Sequence, residues 1–370
     1  MLSRVAESMF WMSRYVERAE NTARYLDVSF HLRLDLSKMA GESGYWEQLI
    51  QMAGNPVQFA KLSKEYSPET VTEYLVLSRE NPFSVASSVA FARENARSII
   101  ESISSEMWEQ VNGLYHFLQN ATVRQVAQDP YTFYKEIKNG SHLFQGITDG
   151  TMLRTESWEF VQIGKFIERA INTAQLVDIQ FAMLNCDGDA LSPDSAETLQ
   201  WMGVLKSCSA LEAFCKVHLG RIEPDTVLRF LVLDRAFPRS IYFSVNAAES
   251  SLWSVSGSSR HRYLNSADRL IGKIGSELTY ATLEDIRETG LHHYLRTVQD
   301  RLWGVANQVH RIYFAYHIPD SDDHENAILP RVELAQDMAR RTHAEQQQQT
   351  PPQPSPQAER ELLPPACGGD

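Results

Sequence analysis

Cysteine is scarce in this sequence: Cys186, Cys208, Cys215 and Cys367 are the four among 370 residues, and their spacing forms no metal-binding pattern. Cys208 and Cys215 are seven apart and are expected to share one helix face as small buried apolar residues, as suits a reducing cytoplasm. Uninterrupted apolar runs are missing too. None approaches the roughly 18 residues a membrane span requires, and no cleavable signal is recognised before Leu2, so the expectation is a cytoplasmic protein with no membrane partner. Positive charge is in deficit, with 35 Lys and Arg against 47 Asp and Glu and a net charge of -12, which argues against a nucleic-acid surface held by phosphate contacts. Gly-rich phosphate loops, a Gly-x-Ser-x-Gly elbow and His-Glu-x-x-His are absent. The eleven histidines are scattered. His292-His293 points two ways on a helix, and His310 with His317 at i,i+7 reads as packing, since no Cys or acidic ligand is spaced to complete a site. A di-iron carboxylate bundle would want a Glu-x-x-His motif on each of two helices, and that pair is not found. Neither a metal nor a cofactor is expected. Alternating strand patterns are missing as well, and Pro and Gly are sparse before the C-terminal tail.

What the chain does have is repetition. Arg14-Tyr15-Val16-Glu17-Arg18-Ala19-Glu20-Asn21-Thr22-Ala23-Arg24 returns as Lys165-Phe166-Ile167-Glu168-Arg169-Ala170-Ile171-Asn172-Thr173-Ala174-Gln175, at an offset of 168 minus 17, or 151. A second block, Pro68 to Val89, returns as Pro224 to Val245 at 224 minus 68, or 156. Two blocks in the same order with nearly equal offsets read as one domain-scale unit copied once, far above the period of solenoid repeats.

The periodicity is helical almost throughout. From Glu7 to Leu34 the positions Tyr15, Ala19, Thr22, Ala23 and Leu26 fall on one arc at 100° per residue. Ser67-Pro68-Glu69 and Glu223-Pro224-Asp225 read as helix starts, with Pro where its missing N–H costs nothing. Asn81-Pro82 and Phe237-Pro238 then end a helix in each copy, because the residue before Pro resists the α conformation. Helical pattern resumes from Ser84 to Leu118 and from Ser240 to Trp253, with a Ser/Gly-rich insertion at Ser254 to Ser259 in the second copy only. The expected fold is all-α: a helical bundle of two tandem repeats of about 150 residues related by pseudo-two-fold symmetry. Repeat one covers 1–150 and repeat two 151–320; residues 321–370 read as a mostly disordered Gln/Pro-rich tail.

The repeated polar stripe supplies the site candidates: Arg14, Glu17, Arg18 and Asn21, with Lys165, Glu168, Arg169 and Asn172. Arg14 with Glu17 and Lys165 with Glu168 stand at i,i+3, and Glu17 with Asn21 and Glu168 with Asn172 at i,i+4, all supportive spacings within a helix. Arg18 and Arg169 have no obvious local acid. A crossed exchange, Arg18 to Glu168 and Arg169 to Glu17, would satisfy both copies at once. An ordinary surface helix also shows a polar arc of this kind, yet Glu20, Arg24 and Tyr25 give way to Ile171, Gln175 and Leu176 while Glu168, Arg169 and Asn172 persist. That pattern favours burial, as an internal ion-pair network or as a functional pocket. Arg79 and Arg235, each beside a helix end, would cap carbonyls or bind an anion.

The blocks RYVERAENTA and KFIERAINTA, the opening MLSRVAESMFWMSRYVERAENTARYLDV and FLVLDRAFPRSI resemble the bacterial alpha-E family, an all-helical domain named for its Glu-Arg motif, over nearly the whole stretch from Met1 to about Pro319. The motif falls on Glu17 and Arg18 and, by the internal match, on Glu168 and Arg169. The resemblance implies no catalytic role. It does imply an association with circularly permuted ATP-grasp proteins and transglutaminase-like cysteine peptidases in a peptide or amide-ligation system. The reading that follows is a non-catalytic helical adaptor that binds or positions the ligase or its substrate. The alternative is an enzyme in which Glu17 and Glu168 transfer protons and the arginines hold a carboxylate or phosphate.

Overall fold

In a computed structural model describing residues 2–40, 46–47, 49–50, 55–63, 65–186, 193–219, 221–259 and 262–315, the apolar periodicity becomes fifteen α-helices. In chain order they are α1 Ser3–Ala40, α2 Pro56–Leu62, α3 Pro68–Thr72, α4 Val85–Ser98, α5 Ser105–Gln119, α6 Val123–Gln128, α7 Pro130–Thr151, α8 Glu156–Cys186, α9 Pro193–Ser207, α10 Leu211–His218, α11 Pro224–Leu233, α12 Ile241–Ser256, α13 Ser266–Tyr280, α14 Leu283–Thr289 and α15 Leu291–Val309. Two π-helical turns, Glu73–Leu77 and His310–Phe314, extend α3 and α15. Among the described residues there is no strand, only an isolated bridge between Ser259 and Arg262. These residues fall within one compact unit, Met1–Asp320. The tail expected at 321–370 lies outside the described residues, as does His317.

The helix starts follow local chemistry. Ser67 and Thr70 form a reciprocal capping box at the head of α3, with Pro68 in its first turn, and Pro224 opens α11 in the same way. After each Asn-Pro or Phe-Pro break, Ser84 and Ser240 accept the N–H of Ser87 and Phe243, both at 3.0 Å. The same two hydroxyls donate backward to the carbonyls of Ser78 at 2.6 Å and Asp234 at 2.5 Å. Each serine thus closes the preceding turn and caps the next helix.

Two long helices occupy the centre. α1 packs along α8, and each gathers its own followers: α4 and α7 lie on α1, and α12 and α15 lie on α8. The neighbour relations α4 to α5 and α5 to α7 recur as α12 to α13 and α13 to α15. The apolar core of the first half joins Leu26, Trp46, Phe59, Val76 and Tyr134, all 3% exposed or less. At the far end Phe314 sits between Phe10 of α1 and Phe160 of α8, with centroids 5.5 and 5.6 Å away.

Three local expectations are corrected. The helix expected from Ser84 to Leu118 is two, because α4 ends at Ser98, a 3₁₀ turn spans Ile100–Ser102, and Ser104 caps α5 through the N–H of Met107. The run from Ser254 to Ser259 is helical to Ser256, and Gly257 at φ +74° ends the helix. Cys208 and Cys215 do not share a helix: Cys208 lies past the end of α9 and Cys215 is in α10, with Ser209 at φ +49° turning the chain between them. Cys208 is buried, Cys215 half-buried, and both are free thiols.

The approach of α1 to α8 depends on Gly164. A Cβ there would lie 2.3 Å from the carbonyl oxygen of Phe10 and 2.3 Å from Ser13 Oγ, and the first is immovable backbone. Gly164→Ala is expected to cost on the order of 3 kcal/mol in urea unfolding, since the central pair must separate. Gly113→Ala, in α5 with nothing within 4 Å, is the control and is expected to be neutral or slightly stabilising.

A buried charge network between the two central helices

Because α1 is covered on several sides, the polar stripe that would suit a surface helix is interior: Arg14 is 0% exposed, Glu17 1%, Arg18 5%, Glu20 0% and Arg24 6%. On α8, Glu168 is 2% and Arg169 6% exposed. Ions so placed must be paired, because desolvating each costs several kcal/mol.

They are paired by exchange. Arg18 donates from Nε to Glu168 Oε1 at 2.6 Å and from Nη2 to Oε2 at 3.1 Å. Arg169 returns the same two-pronged contact to Glu17, from Nε to Oε1 and from Nη2 to Oε2, both at 2.8 Å. The crossed pairing expected from the sequence is therefore present, in the geometry that makes guanidinium–carboxylate contacts strong.

Around this exchange the two sides differ. Glu168 takes a second cation, Arg14, whose Nε donates to Oε2 at 2.8 Å. The expected Arg14–Glu17 spacing is thus not used, and Arg14 reaches across to the other helix. Its guanidinium lies 4.9 Å from the Trp11 ring centroid and 4.7 Å from that of Trp303, so its terminal nitrogens meet indole faces instead of oxygen. Glu17 instead takes Arg239, from the turn before α12, whose Nη1 donates at 3.2 Å, together with Asn21 Nδ2 at 3.3 Å and Gln145 Nε2 at 3.1 Å. Arg239 Nη2 continues to Glu20, which also receives Arg24, Ser141 Oγ at 2.7 Å and Gln145 Nε2 at 3.1 Å. His142 Nε2 stands 3.0 Å from Arg24 Nη2 and 3.3 Å from Glu20 Oε1 at the exposed edge.

The counterparts in the other helix are not equivalent. Asn172 makes no bond to Glu168, and its Nδ2 is buried without a partner. Lys165, at Arg14's repeat position, has no ion pair among the described residues. Arg79 and Arg235 stay outside the network and are exposed. Arg235 donates to the carbonyl of Thr279 in the last turn of α13 at 3.3 Å, a capping contact, and Arg79 to that of Ala86 in the first turn of α4 at 3.0 Å.

The electrostatics favour ionised carboxylates. Burial alone would raise Glu17, but Arg169 and Arg239 outweigh it and hold the group below its ordinary 4.5. Burial likewise opposes, and Arg18 and Arg14 overcome it, at Glu168. Glu20 sits well below the usual range, with burial offset by Arg239, His142 and Arg24. Burial pushes the Cys208 thiol up to about 12 in spite of Arg239 and Arg24 nearby. Five arginines meet three glutamates in this cluster, leaving an excess of two positive charges.

Sequence reasoning missed Arg239, Glu20, Arg24, Ser141, Gln145 and His142. Glu20 and Arg24 were passed over because their repeat positions hold Ile171 and Gln175, and Arg239 because its position, 239 minus 156, holds Phe83. The signal that could have found them is that Glu20 and Arg24 are charged in the first repeat where Ile171 and Gln175 are not, stand at i,i+4, and are answered by Arg239 in the second repeat where the first has Phe83. Among the described residues no cluster of His, Cys, Asp and Glu could hold a metal ion, and no helix is long and apolar enough to cross a membrane.

Fold and site together define an all-helical protein built around a Glu-Arg exchange between two long helices. The chain belongs to the Alpha-E family, described as a predicted alpha-helical domain with a conserved ER motif, which matches residues 1–314. It is also similar to an uncharacterized protein of Mycobacterium bovis, 22% identical over 334 residues, and to uncharacterized proteins of two Mycobacterium tuberculosis strains with the same identity. Each alignment covers 81% of this chain and 36% of the relative, so the chain spans about a third of the length of those proteins. No solved structure matches.

Removing one partner leaves buried charge uncompensated. Glu168→Gln is expected to lower the unfolding free energy by about 3–5 kcal/mol, against less than about 1 kcal/mol for Arg79→Ala. Groups held below their unfolded value stabilise the fold above that value, and the stabilisation goes as pH falls through the folded one. Unfolding monitored by circular dichroism should therefore show stability fully present at neutral pH and declining below about 4.5, the ordinary value of Glu17 and Glu168, with a shallower decline in Glu168→Gln.

Proposed function

We propose that this chain is a non-catalytic helical partner in a peptide or amide-ligation system, binding or positioning a circularly permuted ATP-grasp ligase or its substrate, with a transglutaminase-like peptidase as a further associate. The observation that carries the reading is the state of the Glu-Arg motif. An acid–base enzyme needs a carboxylate raised toward neutral pH and open to substrate. Glu17, Glu20 and Glu168 are at most 2% exposed, lowered rather than raised, and bonded to arginines from several elements. Such a motif sets the geometry of a scaffold, and the surface is left for recognition. Leu2 and Leu153, at matching positions ahead of the two central helices, are 75% and 79% exposed. In the mycobacterial relatives the region similar to this chain is joined to further sequence, as a unit working beside another domain would be.

The scaffold itself is a duplication with pseudo-two-fold symmetry, residues 1–150 and 151–320, working in the cytoplasm. Support comes from the repeated blocks, the recurring order of neighbours, and the matched serine turns at Ser84 and Ser240.

Tagging the chain in its native host and identifying by mass spectrometry what co-purifies, with and without ATP, tests the reading. An ATP-grasp protein recovered in stoichiometric amount is the expected result. A chain that purifies without a partner under both conditions sinks it.

A further inference from the structure

Residues 257–265 lead into α13, a longer stretch than the 99–104 that leads into α5. Both helices are followed by a threonine-capped one, at Thr122 and Thr282, so they correspond at an offset of 282 minus 122, or 160. At that offset Arg269 and Lys273 of α13 stand where α5 has Glu109 and Gly113, and all four positions are exposed. The same helix face is acidic in one half of the chain and basic in the other. Ahead of α13, Arg262, Tyr263 and Leu264 are exposed as well, the last two by 60% and 51%. Nothing in the fold requires these residues, since the first half is built without them.

The side chains of this stretch face solvent, but its backbone is held. Ser259 and Arg262 exchange both backbone N–H···O bonds at 2.9 Å. Ser258 Oγ accepts the N–H of Leu264 at 3.0 Å and donates to the buried Asp268 carboxylate at 2.5 Å. The Arg269 guanidinium lies 5.8 Å from the Tyr263 ring centroid. Side chains presented from a fixed backbone lose little further freedom on binding. Beside them stands the π-helical turn His310–Phe314, joined to the head of α13 where Asn265 Nδ2 donates to the Tyr313 hydroxyl at 3.2 Å and Ser266 Oγ to Gln308 Oε1 at 2.6 Å. That turn, of a kind that recurs at functional sites, adds the exposed Arg311 and Ile312. Among the described residues none of Arg262, Arg269, Lys273 and Arg311 has a carboxylate within salt-bridge reach, and Glu277 of α13 pairs with Arg301 instead.

We propose that this surface, formed by the approach to α13, the outer face of that helix and the adjoining π-turn, docks an acidic segment of another polypeptide. The four cations face its carboxylates, and Tyr263, Leu264 and Ile312 take an apolar side chain from it. Charge complementarity argues for that occupant. The chain carries a net charge of -12, so its field steers an acidic segment toward the few places where cations gather without a counter-ion. Arg and Tyr are also residues that protein interfaces favour. An anionic bilayer fits less well, because a plane laid on this end would bring its phosphates against Glu7, which lies 3.6 Å from His310 of the same turn. The surface does not depend on the ligase association proposed above and is tested on the chain alone.

Fluorescence anisotropy of a labelled octapeptide, acetyl-Glu-Asp-Leu-Glu-Glu-Leu-Asp-Glu-amide, titrated with the full chain reads the surface directly. One saturable site per chain is expected, weakened several-fold when serines replace the two leucines and lost when lysines replace the acids. On the parent chain, with no variant needed, affinity should fall about tenfold as chloride rises from about 50 to about 300 mM. Arg269→Ser combined with Lys273→Ser should weaken binding about tenfold and Leu264→Ser several-fold, while Lys61→Ser, at an exposed cation on α2, should change nothing. Sedimentation with phosphatidylcholine vesicles containing about 30% phosphatidylserine separates a lipid surface from a peptide. The proposal is overturned by absence of saturable binding of the acidic peptide, by equal binding of its serine counterpart, by unchanged affinity in the double variant, or by vesicle capture that excess peptide does not displace.

Discussion

The centre of the molecule is governed by the cost of taking Glu17 and Glu168 out of water. Neither carboxylate has a cation of its own helix bonded to it, so each is ionised in the interior because other elements hold guanidiniums against it, Arg14 and Arg18 of α1 at Glu168, and Arg169 of α8 with Arg239 at Glu17. Two such contacts at 2.6–3.1 Å leave little freedom in how α1 slides or rotates on α8. Gly164 supplies the complementary condition, since the side chains reach only if the backbones come close. The helices that follow each central helix then pack onto a pair whose register is already set.

Around that fixed exchange the two sides have been elaborated to different ends. Arg14 is buried among aromatic rings, a neutral environment that tolerates a guanidinium because the ring faces attract it. The Glu17 side carries a longer chain of charge, Arg239 to Glu20 to Arg24, ending near His142 and Ser209. The arginines outnumber the glutamates, and that imbalance keeps the carboxylates low while raising the penalty on the neighbouring Lys165. Aromatic enclosure of Arg14 on one side and a chain of ion pairs on the other are two ways of holding charge in the same interior.

The sequence showed the class of fold and the core of the exchange plainly, because both are written in repetition. Helical period, proline-marked starts and the twice-used Glu-Arg pair survive as patterns along the chain. The crossed pairing could be reasoned out because Arg18 and Arg169 lacked local acids. The Arg14 partner was misjudged, since i,i+3 spacing is only an opportunity, and a carboxylate from another helix at 2.8 Å took it. Arg239 was out of reach because comparing copies discards positions that differ and it joins Glu20 only through tertiary contact, whereas Glu20 and Arg24 stand at i,i+4 in one helix and that spacing was legible. The break at Ile100–Ser102 was hidden for a different reason, as neither Gly nor Pro marks it.

The form of the central contact also bears on where such a chain comes from. A contact in which residue i of one element grips j of another, and j of the first receives i of the second, is the pattern of an isologous dimer interface. Under the proposed duplication, a single unit of about 150 residues carrying the Glu-Arg pair would bury the same contact against a second copy of itself. In such a homodimer every substitution appears twice, so a guanidinium could not lie between Trp11 and Trp303 on one side while Lys165 lies over Phe166 on the other. Under that proposal, joining the two units into one polypeptide would remove the restriction. The two flanks of the exchange would then be free to differ, one enclosing Arg14 with indole rings and the other drawing in Arg239 from a distant turn.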